Sequence, residues 1–253
     1  MRKAHRGGRR FRFEEMTIVG RVLRIPLDLV HGFLHSRSLV SNQDRPLYPN
    51  SGAFEDYLDF FSYHCDKNMT WRGKVISKTP SDAWIYQEII HETKPDVVIE
   101  VGNWLGGSTL FLADILELEG HGRVIGIDID HSSIDFKHPR IAWITGDANS
   151  NDSLAEVRAQ ISEGERAMVV EDSSHTFDNT LAVLRNYCQF VSKNHYFIVE
   201  DTNCRLPFAA GPRPGPYEAV HEFLKENHCF EIDKTREKFV ITSNFDGYLK
   251  RIR

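Results

Sequence analysis

The sequence predicts an α/β protein: a doubly wound, Rossmann-like sheet, mostly parallel, that closes with an antiparallel C-terminal hairpin strand. Three observations predict it. Short β-branched runs alternate with amphipathic helical patterns from residue 82 to residue 227, the pattern of successive βα units. Two of those runs, 97–101 and 169–171, are continuous rather than alternating, as in strands buried on both faces. Glycines or carboxylates follow the strands, at the edge where open α/β sheets take their ligands.

In chain order, Ser81 is placed to cap a helix DAWIYQEIIHETK whose apolar face is Trp84, Ile85, Ile89 and Ile90, and Pro95 ends it. The strand DVVIEVG follows, then the helix GSTLFLADILELEG and the strand RVIGIDI. Further strands are RIAWITG, AMVVED and YFIVED, with helical patterns at 153–161, 176–191 and 217–227. CFEIDK and KFVITSN, three residues apart across Thr235-Arg236-Glu237, read as the closing hairpin. Upstream, residues 1–13 are Arg/Gly-rich and read as disordered. Residues 18–39 fit an amphipathic helix, residues 41–52 a loop, and AFEDYLDFFSYHC a helix with Phe54, Leu58 and Phe61 on one face. The domain division is therefore a basic arm and helical extension over 1–65, followed by the α/β domain over 66–253.

Composition bounds the function classes. The chain has 253 residues, 41% of them hydrophobic and 26% charged, which suits a globular core and excludes a disordered or fibrous protein. Its net charge of −5 is uneven: residues 1–40 carry +6 and residues 41–253 carry −11. No apolar run approaches the roughly 20 residues of a membrane span. Arg21, Arg24 and Asp28 interrupt the stretch that would otherwise serve as a signal-peptide core. Cys65, Cys188, Cys204 and Cys229 have no metal-ligand spacing and read as reduced, buried thiols. The expected location is cytoplasmic.

The segment EVGNWLGGST carries Glu100, Gly102, Gly106 and Gly107 and opens a helix at about Ser108. Glycine lets the backbone turn sharply and approach a ligand, while the helix N-terminus presents free N–H groups. The spacing is ExGxxxGG rather than the GxGxxG of dinucleotide enzymes, so it suits a ligand without a pyrophosphate; a purely structural turn also explains it when taken alone. Asp128, 28 residues after Glu100, ends the next strand, where a carboxylate can accept both hydroxyls of a ribose. Asp147, in GDANS after the third strand, is placed to meet an adenine amino group. Together these describe a nucleoside site.

Two later strands end in Glu-Asp: VVEDSSHT and IVEDTN. Asp172, Glu200 and Asp201 then lie on neighbouring strand ends. Clustered carboxylates repel one another unless a cation or protons relieve them, and all-oxygen ligands suit a hard ion such as Mg²⁺. His175 follows Asp172 by three residues. Its imidazole either accepts a proton from a bound hydroxyl or packs against and orients Asp172. His64, His131 and His221 have no spacing that implies a ligand.

From Trp71 to Arg253 the sequence resembles the cephalosporin hydroxylase and rhamnosyl O-methyltransferase family of S-adenosylmethionine-dependent enzymes. The strings KTPSDAWIYQEIIHETKPDVVIEVG, GGSTLFLADILELEGHGRVIGIDID, EDSSHT, FIVEDT and ITSNFDGYLKRI carry the resemblance. It implies a class I methyltransferase sheet, S-adenosylmethionine and Mg²⁺ as cofactors, and O-methylation of a sugar or natural-product hydroxyl. It implies cofactor contacts at Glu100, Gly102, Gly106, Ser108, Asp128 and Asp147 and metal ligands at Asp172, Glu200 and Asp201; His175, the catalytic candidate with Asp172, falls where catechol-type O-methyltransferases carry a lysine base. The expected partner is a small-molecule or glycan acceptor rather than nucleic acid, with homo-oligomer formation through the N-terminal extension. Residues 206–220, with four prolines, read as the acceptor lid. Two other readings remain: an NAD-dependent oxidoreductase, which the glycine spacing disfavours, and a non-catalytic binding or scaffold protein.

Overall fold

Val97, Ile99 and Val101 face one side of their strand and Val98 and Glu100 the other, because successive side chains alternate across a strand. All five residues are buried. Apolar layers therefore cover both faces, and helices supply them. In the computed structural model, which describes residue 57 and residues 68–203, 214–239 and 241–253, a short hairpin comes first: β1 (Thr70–Trp71) and β2 (Lys74–Val75). Then follow α1 (Pro80–Thr93), β3 (Val97–Val101), α2 (Gly107–Leu118), β4 (Arg123–Asp128), β5 (Ile141–Thr145) and α3 (Asn151–Ala159). The chain continues through β6 (Ala167–Glu171), α4 (Phe177–Tyr187), β7 (Tyr196–Val199), α5 (Pro216–Glu226), β8 (Phe230–Ile232) and β9 (Tyr248–Arg251).

Seven strands form one sheet in the order β5-β4-β3-β6-β7-β9-β8. β3 pairs in parallel with β4 and β6, β4 with β5, and β6 with β7; β9 is antiparallel to both β7 and β8. The strand order reverses between β3 and β6, which is the topological switch point where open α/β sheets bind ligands. One core unites Val98, Val124, Met168 and Ile198 with Ile85 and Ile89 of α1 and Leu112 of α2. The other unites Ile99, Ile127, Val169 and Phe197 with Val157, Leu184 and Phe223 of α3, α4 and α5.

Three details correct the sequence expectations. The N-cap of α1 is Thr79, whose side chain accepts from the Asp82 backbone at 3.4 Å; Ser81 lies inside the helix, after Pro80 at its first position. Trp84 is 58% exposed and Tyr86 is buried in its stead, since Glu200 lies behind that face and a phenol can bond to it. The closing strand is Tyr248–Arg251 rather than KFVITSN: a 3₁₀ turn at Lys234–Glu237 follows β8. Residues 241–247 then make the connection described below, with Thr242, Asn244 and Asp246 buried.

Cys188 and Cys229 are free and half-buried. The expectations for residues 1–56 and 58–67, for Cys204, and for the 206–213 part of the lid lie outside the described residues. No helix among the described residues is long and apolar enough to cross a membrane.

Candidate active site

The β3–α2 turn is built around a left-handed glycine. Gly102 has φ +88°, and a Cβ there would stand 2.1 Å from the Asp172 carbonyl oxygen. Any side chain would therefore force the β3 and β6 loops apart. Gly106, with φ +77°, caps α2. Between them Trp104 takes φ +44° and remains 50% exposed, an uncommon conformation for a bulky residue.

Asn103 holds this turn together. Its backbone N–H donates to Asp128 Oδ2 at 2.7 Å, beside that of Trp104 at 3.0 Å. Its side-chain amide donates to Glu100 Oε2 at 2.8 Å, and its Oδ1 lies 3.0 Å from His131 Nε2. Glu100 is fully buried; Thr109 also donates to its Oε2, while Oε1 has no hydrogen-bond partner. Burial pushes its carboxyl above the usual range.

Two adjoining clefts open along these strand ends. One, of about 500 Å³, is lined by Gly102, Trp104, Leu105, Asp128, Asp147 and Asp172, among others. The second, of about 380 Å³, is lined by Ser77, Trp104, Ser108, Asp172, His175 and Asp201, among others. Gly102, Trp104, Asp172 and Ser173 belong to both walls. Of the residues expected to contact the cofactor, Gly102, Ser108, Asp128 and Asp147 line the clefts, whereas Glu100 and Gly106 lie behind the walls.

Asp172, His175 and Asp201 bring one ligand atom each to within 4.8 Å of one another. His175 Nε2 is 3.4 Å from Asp201 Oδ2 and 4.0 Å from Asp172 Oδ1. His175 and Asp201 both hold left-handed backbones, φ +51° and +52°, and strain of this kind is common where side chains are aimed at a ligand. Burial, and then the negative charge of Glu200, push the Asp172 carboxyl well above the usual carboxylate range. Burial raises Asp201 as well, against the opposing effect of His175. Glu200 is only 4% exposed, and its Oε1 accepts from both Lys78 Nζ and Tyr86 OH. Its share in any ion would fall to Oε2.

These side chains at the ends of β6 and β7 thus stand next to a cleft that ends at the carboxylates of β4 and β5. Residues 63–252 match the family model described as rhamnosyl O-methyltransferase/CmcI. The chain belongs to that family. It is thereby an S-adenosylmethionine-dependent O-methyltransferase. A rhamnosyl O-methyltransferase of Mycobacterium tuberculosis (strain ATCC 25618 / H37Rv) is 32% identical over 246 residues, covering 92% of this chain and 100% of the relative. That of Mycobacterium leprae (strain TN) is 32% identical over 211 residues, covering 80% and 92%. A solved structure of CmcI with Mg and SAM has a TM-score of 0.59 at 22% identity, covering 83% of this chain and 88% of that one. At that identity the likeness is one of fold.

In this member of the rhamnosyl O-methyltransferase/CmcI family, sequence reasoning missed Lys78, Tyr86, Asp82, Asn103 and Asn244. Asp82 is buried and accepts from Thr79 OH, from Thr242 OH at 2.5 Å, from Ser243 N at 2.8 Å and from Tyr248 OH at 2.9 Å. That network fixes the connection before β9, where Asn244 Oδ1 accepts from the Asp201 backbone at 3.2 Å. The segment KTPSD thus reaches Glu200 through Lys78, and Asp201 through Asp82 and Asn244. An apolar helix opening on two buried charges was the available signal, because unpaired charges are rarely buried.

Proposed function

We propose that this chain catalyses a Mg²⁺-dependent transfer of the methyl group of S-adenosylmethionine to a hydroxyl oxygen of a sugar. The observation that carries the reading is the convergence of Asp172, His175 and Asp201 on a cleft sharing a wall with the one lined by Asp128 and Asp147. The donor set fits a hard cation: two carboxylates whose crowding a divalent ion would relieve. The other cleft fits a nucleoside with a cationic tail. Asp128 and Asp147 lie on its wall, and Glu100 keeps an unpartnered oxygen beneath the turn. The sugar acceptor is argued from the mycobacterial relatives, which are named rhamnosyl O-methyltransferases.

When bound, the cofactors would supply an electrophilic methyl group and a Lewis acid that lowers the pKa of the acceptor hydroxyl. The chain's own residues do the rest. Asp172 and Asp201 hold the ion, with Glu200 behind them. His175, half-exposed and within reach of both carboxylates, accepts the acceptor's proton at Nε2. Gly102 and Ser108 border the wall along which the two reactants meet, and holding them in line supplies much of the acceleration. Residues 66–253 form the catalytic domain in this reading, acting in the cytoplasm, and the basic arm serves assembly.

The test is methyl transfer to a rhamnoside from labelled S-adenosylmethionine, with Mg²⁺ and with EDTA. Calorimetry with S-adenosylmethionine and with NAD accompanies it. Transfer that requires Mg²⁺ supports the reading. Tight NAD binding without S-adenosylmethionine binding overturns it, and full activity in EDTA overturns its metal part.

A further inference from the structure

Lys78 is 3% exposed, and its ammonium donates to Glu200 Oε1 while lying 4.6 Å from the Tyr86 ring centroid. One buried cation therefore stands against Glu200, which precedes Asp201 and bonds through its backbone to Glu171, the neighbour of Asp172. A buried charge left unpaired is strongly destabilising, so the pocket needs a cation before any divalent ion arrives.

We propose that Lys78 is a positioning residue that serves as the resident cation of the acidic pocket, locking Glu200 to the floor and setting how strongly the pocket attracts a divalent ion. This rests on the metal reading of Asp172 and Asp201 given above. Lys78 acts through Glu200: it is absent from the residues lining either cleft, whereas Asp172 and Asp201 line the one that His175 faces. Its charge opposes the ion's, so removing that charge makes the remaining carboxylates a stronger trap. The loss of the clamp also frees Glu200 to move, at the expense of turnover.

The experiment is Mg²⁺ titration by calorimetry on the wild type, Lys78→Gln and Lys78→Arg, with thermal melts with and without Mg²⁺ and steady-state kinetics. Lys78→Gln loses the charge and, with its shorter side chain, the clamp on Glu200. It is expected to bind Mg²⁺ at least fivefold more tightly and to gain more in Tm from Mg²⁺ than the wild type. Its kcat is expected to fall at least tenfold with the acceptor KM changing less than threefold. Lys78→Arg is expected to stay within twofold of wild type in Mg²⁺ affinity. A Lys78→Gln protein with unchanged or weaker Mg²⁺ affinity, or with wild-type kcat, overturns the proposal. Should Lys78→Gln not fold, Lys78→Arg decides: a shift of more than fivefold in its Mg²⁺ affinity with the charge retained would overturn the role of charge, and a shift of less than twofold supports it. A wild type that binds no Mg²⁺ sinks instead the metal reading on which this depends.

Discussion

The Cα of Gly102 lies against the main chain of Asp172, so close that a Cβ would stand 2.1 Å from the Asp172 carbonyl oxygen. The turn that borders both clefts and the loop that carries Asp172 are thus in direct backbone contact. Gly102→Ala meets both the contact and a φ of +88°. It is expected to cost ~3 kcal/mol or more of stability and to abolish S-adenosylmethionine binding, measured by urea denaturation and calorimetry.

His175 stands 3.4 Å from Asp201 and 4.0 Å from Asp172. As a proton acceptor it should be worth roughly 10²–10⁴ in kcat. His175→Gln is therefore expected to lose activity on that scale while S-adenosylmethionine affinity stays within threefold. A variant that keeps a tenth of wild-type kcat contradicts the assignment.

Removing the ion should silence the enzyme reversibly. Dialysis against EDTA is expected to lower the rate on the order of a hundredfold or more, with recovery when Mg²⁺ is returned. Asp172→Asn should show the same loss without recovery. Stopped assays with and without added metal separate the two.

Asp82 binds four donors in the interior. Asp82→Ala leaves them unpaired, and with an unsatisfied buried group costing roughly 1–3 kcal/mol, a loss of ~3 kcal/mol or more is expected in chemical denaturation. Because Asn244 supports the Asp201 backbone, kcat should fall with it even at temperatures where the variant remains folded.

Asp96 joins the starts of β3 and β6. It accepts from the Arg166 backbone at 2.7 Å and from its guanidinium at 3.0 Å. The hydrogen bond from the Arg166 side chain is the main reason its pKa falls from 3.8 to about 2. A lowered carboxyl pKa means that the folded state binds this proton less readily than the unfolded chain. The stability it contributes is therefore present above about pH 4 and lost as the pH falls through about 2. Denaturation of Asp96→Asn against wild type should show a deficit at pH 7 that shrinks between those values; a deficit independent of pH contradicts the pairing.

Much of the sheet was legible in the sequence because strand burial and helix amphipathicity are local patterns. The runs that became β3 to β7, and the glycine and carboxylate positions at their ends, follow from periodicity and from the ligand-facing edge of a parallel sheet. The second arm of the closing hairpin was misplaced because KFVITSN is β-branched and apolar enough for a strand. Thr242 and Ser243 are instead tied to Asp82, 160 and 161 positions away, contacts that no local window contains. Trp84 was misread for a similar reason: helical spacing names a face, but burial depends on what packs there.

The sequence by itself determined the order of the elements, the acidic and glycine-rich strand ends, and the pairing of Asp172 with His175 three residues later. Only the tertiary structure decided which charges meet. Lys78 lies 122 residues from Glu200, and no spacing rule links them. Their pairing arises because α1 covers the face of the sheet shared by Tyr196 and Ile198, alternation puts Glu200 on that same face, and its buried carboxylate there meets the Lys78 ammonium. Propensity and periodicity act over a few residues, while charge neutrality in a buried pocket is a property of the whole assembled fold.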